Sequence, residues 1–163
     1  MAEEKNCLEE MKKKYKDFQK QYGLPDFDEL NRNFFIEEVA ELKTDFLIRG
    51  IRRAIAERFS NYLKFIEDLL HPTSASIFVF SIIKSLKMED KKLLEDIYKK
   101  IAKIEIEIME LDILYSEQKE AEFVKKACGV WCEIGGKWIK IISSVKNAWD
   151  NDSKEDYNKD YFG

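Results

Sequence analysis

A chain of 163 residues with a formal charge of -4 and a pI near 5.3 lacks the basic surface that phosphate contacts require, which argues against nucleic-acid binding as its main activity. No apolar run approaches the roughly 18 residues that span a bilayer, the longest pieces being short ones such as Ile77–Ile83. With 45% hydrophobic residues and only 6 Gly and 2 Pro, the chain reads as one all-α domain with long helices and few connections, able to bury a core without staples.

Residues 3–22 have the period of an amphipathic helix, with Leu8, Met11, Tyr15, Phe18 and Tyr22 on one side. Gly23 stands where a C-terminal cap belongs and Pro25 follows. Asp26 or Asp28 is placed to cap a short helix through Leu30, and Phe34-Phe35-Ile36 returns an apolar anchor to the core. The polar stretch Glu37–Glu41 leads into the stretch that organises the chain, Leu47–Leu70, with a break near Thr44. Here Leu47, Ile51, Ile55, Phe59, Tyr62, Ile66 and Leu69 form one stripe, flanked by Ile48, Ala54, Leu63 and Phe65. A helix apolar over so wide an arc has to be covered from more than one side, so it is expected at the centre of the fold.

His71-Pro72 ends that helix, because the residue before a proline is pushed out of the helical region. Ser74 or Ser76 can cap the next element. Ile77–Leu86 has strand-like composition, but helical spacing and the lack of a partner strand favour a short buried helix. Glu89–Tyr115 carries the heptad Leu94, Ile97, Ile101, Ile104, Ile108, Leu111, Tyr115, giving a second long core helix over about residues 89–116. Ile106 and Ile113 lie off its stripe and call for a second covering neighbour. A last helical pattern runs through Phe123, Ala127, Trp131, Ile134, Trp138, Ile141 and Val145, with a kink or turn expected at Gly135-Gly136. The expected organisation is a bundle of five to seven helices over residues 1–150 and a flexible acidic tail over 151–163.

Chemistry-bearing residues are sparse. Glu37, Glu38 and Glu41 place carboxylates at i, i+1 and i+4, so that in an α-helix Glu37 and Glu41 share a face and suit Mg²⁺ with a substrate phosphate. That EExxE resembles one half of the motif of all-α nucleotide pyrophosphatases of the MazG type. The second half, ExxD on the next helix, is missing, and Glu107, Glu110 or Asp112 would have to substitute. Arg49, Arg52, Arg53 and Arg58 form a basic cluster, yet Asp45, Arg49, Arg53 and Glu57 at i+4 steps read as a solvated salt-bridge ladder before an anion site. Cys128 and Cys132 lack the second Cys/His pair of a zinc site and read as buried thiols. The single histidine, His71, has no partner in sequence for a triad. Trp131, Trp138 and Trp149 read as core and rim aromatics. No catalytic, cofactor-binding or metal residue is assigned, and no cofactor is expected.

Three cysteines, an odd number, and an opening MAEEKN without a basic, apolar leader point to the cytoplasm. Through KYKDFQKQYGLPDFDELNRNFFIE, FLIRGIRRAIAERFSNYLKFIEDLL, DKKLLEDIYKK and EAEFVKKACGVW, the chain resembles a family of uncharacterised archaeal helical proteins over roughly Leu8 to Trp131. The resemblance implies a cytoplasmic all-α protein and nothing catalytic. The leading expectation is therefore a non-enzymatic interaction protein, with a metal-dependent nucleotide hydrolase at Glu37, Glu38 and Glu41 as the alternative. Lys137–Trp149 has more apolar positions than one docking face uses: Trp138, Ile141, Val145 and Trp149 suit packing, while Ile139 and Ile142 lean aside. A homodimer or protein-partner contact is expected there, at Trp138, Ile139, Ile142 and Trp149.

Overall fold

The computed structural model describes the backbone of residues 2–42, 44–73 and 76–159 and the side chains of 6–42, 44–73 and 76–150. Among these residues the protein is an all-α helical bundle without strands. The helices are α1 (Ala2–Tyr22), α2 (Phe27–Phe34), a 3-10 helix at Ile36–Leu42, α3 (Leu47–Leu70), α4 (Ile77–Ser85), α5 (Met88–Ile113) and α6 (Glu117–Lys159). Residues cluster into two compact units, 1–62 with 101–131, and 63–100 with 132–163, and α3, α5 and α6 contribute a stretch to each.

In the first unit, local chemistry sets the turns. Gly23 takes φ +64 after α1, the left-handed value for which glycine is the least costly residue, and its N–H donates to the Gln19 carbonyl at 2.9 Å. Asp26 caps α2 by accepting from the Asp28 N–H at 2.9 Å. Tyr15, fully buried, donates its hydroxyl to the Pro25 carbonyl at 2.6 Å and so ties the turn back to α1. Burial first, then the Asp26 charge, pushes the Tyr15 phenol far above its ordinary value, so it remains a donor. Of the anchor Phe34-Phe35-Ile36, the two outer residues are buried and Phe35 is exposed. It occupies the left-handed cap of α2 at φ 54, which turns the chain and aims its ring outward.

The central helix has the predicted bounds. Leu47, Ile51, Ile55, Phe59, Ile66 and Leu69 are buried, Tyr62 is half-buried, and Ile48 is buried beside the stripe. Within the first unit, Trp131 receives Phe34, Phe59 and Tyr62 at ring-centroid distances of 5.3, 5.5 and 5.1 Å. Gly50 is required by close approach, since a Cβ there would stand 2.6 Å from Val39 Cγ1.

In the second unit, Ser76 caps α4 through the Val79 N–H at 3.3 Å. Asp90, buried, accepts from the Lys87 N–H at 2.9 Å and from Ser144 Oγ at 2.7 Å, binding the start of α5 to α6. Lys137 pairs with Asp96, Lys100 pairs with Glu133 at 2.9 Å, and Phe65 stacks on Trp138 at 6.1 Å.

Several expectations change. The heptad of α5 is buried from Leu94 to Leu111, but the helix stops at Ile113 and Tyr115 is exposed. Ile106 and Ile113 have no covering neighbour among the described residues, being 67% and 80% exposed. Ile77–Ser85 is a helix, though buried only at Val79 and Ile82. α6 passes through Gly135-Gly136 without a break, because its buried positions Ile134, Trp138 and Ile141 keep one register on both sides and packing outweighs the glycines' low propensity. Its helical backbone continues to Lys159, past the Asn151 start expected for the tail. The side chains of 151–163, and all of 160–163, lie outside the described residues.

Two tests follow from this packing. Ile55→Asp places a charge at a position with no solvent access and is expected to cost several kcal/mol, seen as loss of helical circular dichroism or a large drop in Tm. Gly135→Ala, where an added Cβ meets nothing within 4 Å, is expected to stabilise by up to about 1 kcal/mol, whereas Gly50→Ala forces Val39 aside and lowers Tm.

Candidate interaction surface

The three acidic candidates do not gather. Glu37, Glu38 and Glu41 are exposed on a 3-10 helix, whose three residues per turn place i and i+4 about 120° apart. Glu37 and Glu41 therefore do not share a face. Glu37 is also held by Asn31, which donates Nδ2 to Glu37 Oε2 at 2.8 Å and accepts the Glu37 N–H at 3.0 Å. Of the proposed substitutes, Glu107 pairs with Lys126, Glu110 with Lys119 at 3.0 Å, and Asp112 with Arg52 at 2.7 Å.

Of the expected ladder, Asp45, Arg53 and Glu57 are exposed, but Arg49 is half-buried and its neighbour Arg52 turns inward. Arg52 is 1% exposed and Glu120, from the first turns of α6, has no exposure at all. Arg52 reaches Glu120 Oε2 through Nε at 3.4 Å and Asp112 Oδ1 through Nη2 at 2.7 Å. Arg49 lies half-buried, its guanidinium 5.2 Å from the Tyr115 ring centroid and its Nε 3.6 Å from Glu120 Oε1. Those last two atoms have no hydrogen bond and interact only as charges. Burial pushes the Glu120 carboxyl above its ordinary value, against the opposing pull of Arg52, Arg49 and Arg53. Arg52 and Glu120 thus form an interior ion pair, Arg52 donating both to Glu120 and to Asp112. Only a pairing between distant segments reveals it, so the i+4 spacings within α3 could not. Arg58 is half-buried among rings, its guanidinium 5.1 Å from Trp131 and 5.2 Å from Phe35, and its buried Nε meets no hydrogen-bond acceptor among the described residues. Cys128 is buried as expected and Cys132 is exposed, correcting half of the buried-thiol reading; α6 simply turns that position outward. His71 is exposed at the end of α3.

The feature that stands out instead is apolar and lies in the second unit. Inward positions of α6, Trp138 at 8% and Ile141 at 2% exposure, pack on the unit's own core. Ile139, Ile142, Lys146 and Trp149 follow at i, i+3, i+7 and i+10 on another face and are all exposed. Trp138 is thus separated from the other three residues expected at a partner contact. The outward side of α4 joins this face, with Ile77 87% and Phe78 58% exposed, and Phe78 meets Trp149 edge-on at 5.7 Å. Alongside runs a groove of about 640 Å³ lined by Lys87, Ile139, Lys140, Ser143, Ser144, Asn147 and Ala148. Its charged lining residues, Lys87 and Lys140, are exposed lysines. An apolar strip bordered by cations fits an amphipathic segment with acidic edges. Among the described residues no helix is long and apolar enough to cross a membrane.

Compared with known proteins, the chain matches no family model, no curated protein and no solved structure.

The Arg52–Glu120 lock sets a stability prediction. Glu120→Ala leaves Arg52 buried with one partner fewer and is expected to cost about 3–5 kcal/mol, most of it recovered when Arg52→Met and Glu120→Leu are combined. Because burial raises the Glu120 carboxyl in the folded state, its contribution is fully present below the ordinary glutamate range. That contribution is lost as pH rises through the folded value. Denaturant unfolding across pH should therefore show the parent losing stability relative to Glu120→Gln as pH increases.

Proposed function

We propose that the chain is a non-enzymatic helical interaction protein, acting in the cytoplasm, whose working surface is the outward face of α4 and of the last part of α6. The observation that carries this reading is the exposure of Ile77, Phe78, Ile139 and Ile142 together in one unit, beside inward faces of the same helices that are already filled. Large contiguous apolar surface on a soluble domain ordinarily marks a contact with another macromolecule. The free thiols of Cys7, Cys128 and Cys132 support a reducing compartment. The hydrolase alternative draws little support from the acidic stretch, since Glu37 is engaged by Asn31 and points away from Glu41.

The test removes the apolar face without touching the core. Ile77→Ser, Ile139→Ser and Ile142→Ser combined should leave Tm within about 2 °C of the parent, as for substitutions away from packed features. Binding of the apolar dye anilinonaphthalene sulfonate to the folded protein should fall sharply. A large drop in Tm would mean that these side chains support their own bundle, and the surface would lose its assignment.

A further inference from the structure

Cys128 and Cys132 stand one turn apart on the same side of α6, since they are four positions apart in an unbroken helix. A third donor faces them that spacing along the chain does not reveal. Glu29, from the first turn of α2, holds Oε1 3.8 Å from Cys128 Sγ and accepts from its thiol. The ligand atoms of Glu29, Cys128 and Cys132 all lie within 4.8 Å of one another. Among the described residues no other three side chains of Cys, His, Asp or Glu gather in this way.

The frame behind these groups is firm. α2 is capped by Asp26 and buries Phe27, Leu30 and Phe34, so Glu29 projects from an anchored turn. Trp131, between the two cysteines in the chain, meets Phe34 at 5.3 Å and holds α6 against α2. Glu29 and Cys128 belong to the first unit, and Cys132 is placed relative to Cys128 by the continuous helix alone.

We infer that Glu29, Cys128 and Cys132 form a binding site for Zn²⁺, two thiolates and one carboxylate taking three corners of a tetrahedron with water at the fourth. Around zinc, bonds of about 2.3 Å to sulfur and about 2.1 Å to oxygen hold such donors roughly 3.6–3.8 Å apart. The separation of Cys128 from Glu29 already has that value, and the exposed Cys132 closes the rest by turning its side chain. Donor chemistry chooses the ion. Mg²⁺ and Ca²⁺ take oxygen donors, and two cysteines are too few for an iron–sulfur cluster. Cu⁺ is satisfied by the sulfur pair, whereas Zn²⁺ uses the carboxylate as well, so dependence on Glu29 separates the two. Binding exchanges a weak thiol–carboxylate hydrogen bond for bonds to the metal and releases both thiol protons to solvent. Affinity therefore falls as pH is lowered, and the bound ion ties α2 to α6.

The experiment uses the full chain, reduced and stripped of metal by a chelator, with Co²⁺ as spectroscopic probe and Zn²⁺ added in competition. One Co²⁺ per chain should give a thiolate-to-cobalt charge-transfer band and the visible bands of tetrahedral cobalt, and Zn²⁺ should abolish both. Excess Zn²⁺ should raise the Tm of the parent. Because Cys132 is exposed and Glu29 half-buried, Cys132→Ser and Glu29→Gln should leave the metal-free Tm near the parent's. Each should weaken Zn²⁺ binding at least about tenfold, since a donor bound directly counts for no less than a residue that merely supports one. Cys7→Ser, on α1, should bind as the parent does. A parent without the charge-transfer band, or Zn²⁺ affinity unchanged in Cys132→Ser, would overturn the site. Affinity lost in Cys132→Ser but kept in Glu29→Gln would overturn it as well, in favour of a sulfur-only site suited to Cu⁺.

Discussion

The first unit depends on a charged pair held away from water. Arg52 and Glu120 come from helices separated by 68 positions in the chain and are both essentially inaccessible. Placing a guanidinium and a carboxylate in an apolar interior is tolerated only if each meets the other, so any sliding of α3 against α6 leaves two orphan charges. Apolar packing of Ile51, Ile55 and Phe59 is forgiving of small shifts; the ion pair is not. Asp112 extends the constraint to α5 by holding the guanidinium's free end at 2.7 Å. One buried arginine thereby fixes the register of three helices within the unit.

Among the described residues the Arg52–Glu120 pair is interior, whereas the acidic stretch at Glu37–Glu41 is exposed and dispersed on a 3-10 helix. The outside carries apolar groups instead, on α4, on the last part of α6 and, in the first unit, at Ile106, Met109 and Ile113 of α5. These last three fall at i, i+3 and i+7 and form a stripe of their own.

Much of this was legible in the residues, and the misses share a cause. Helix identity, the bounds of α3, the caps at Gly23, Asp26 and Ser76, and the buried heptad of α5 all follow from local spacing and turn chemistry. What spacing cannot show is which distant segment meets which. Arg52 looked like one of four surface arginines because Glu120 is remote in sequence. Ile106 and Ile113 were expected to be covered because apolarity signals burial only when a neighbour exists to bury it. Gly135-Gly136 suggested a break from propensity alone, and the flanking Ile134, Trp138 and Ile141, all buried, override it. The 3-10 geometry at Ile36–Leu42 likewise escapes a period set for α-helices, and it is what separates Glu37 from Glu41.

The central claim is that the buried Arg52–Glu120 pair sets the packing of the first unit, and a double-mutant cycle on stability tests it most directly. Arg52→Met, Glu120→Leu and the double variant, unfolded by denaturant, should give a coupling energy of at least about 2 kcal/mol. A coupling energy within about 0.5 kcal/mol of zero would contradict the account.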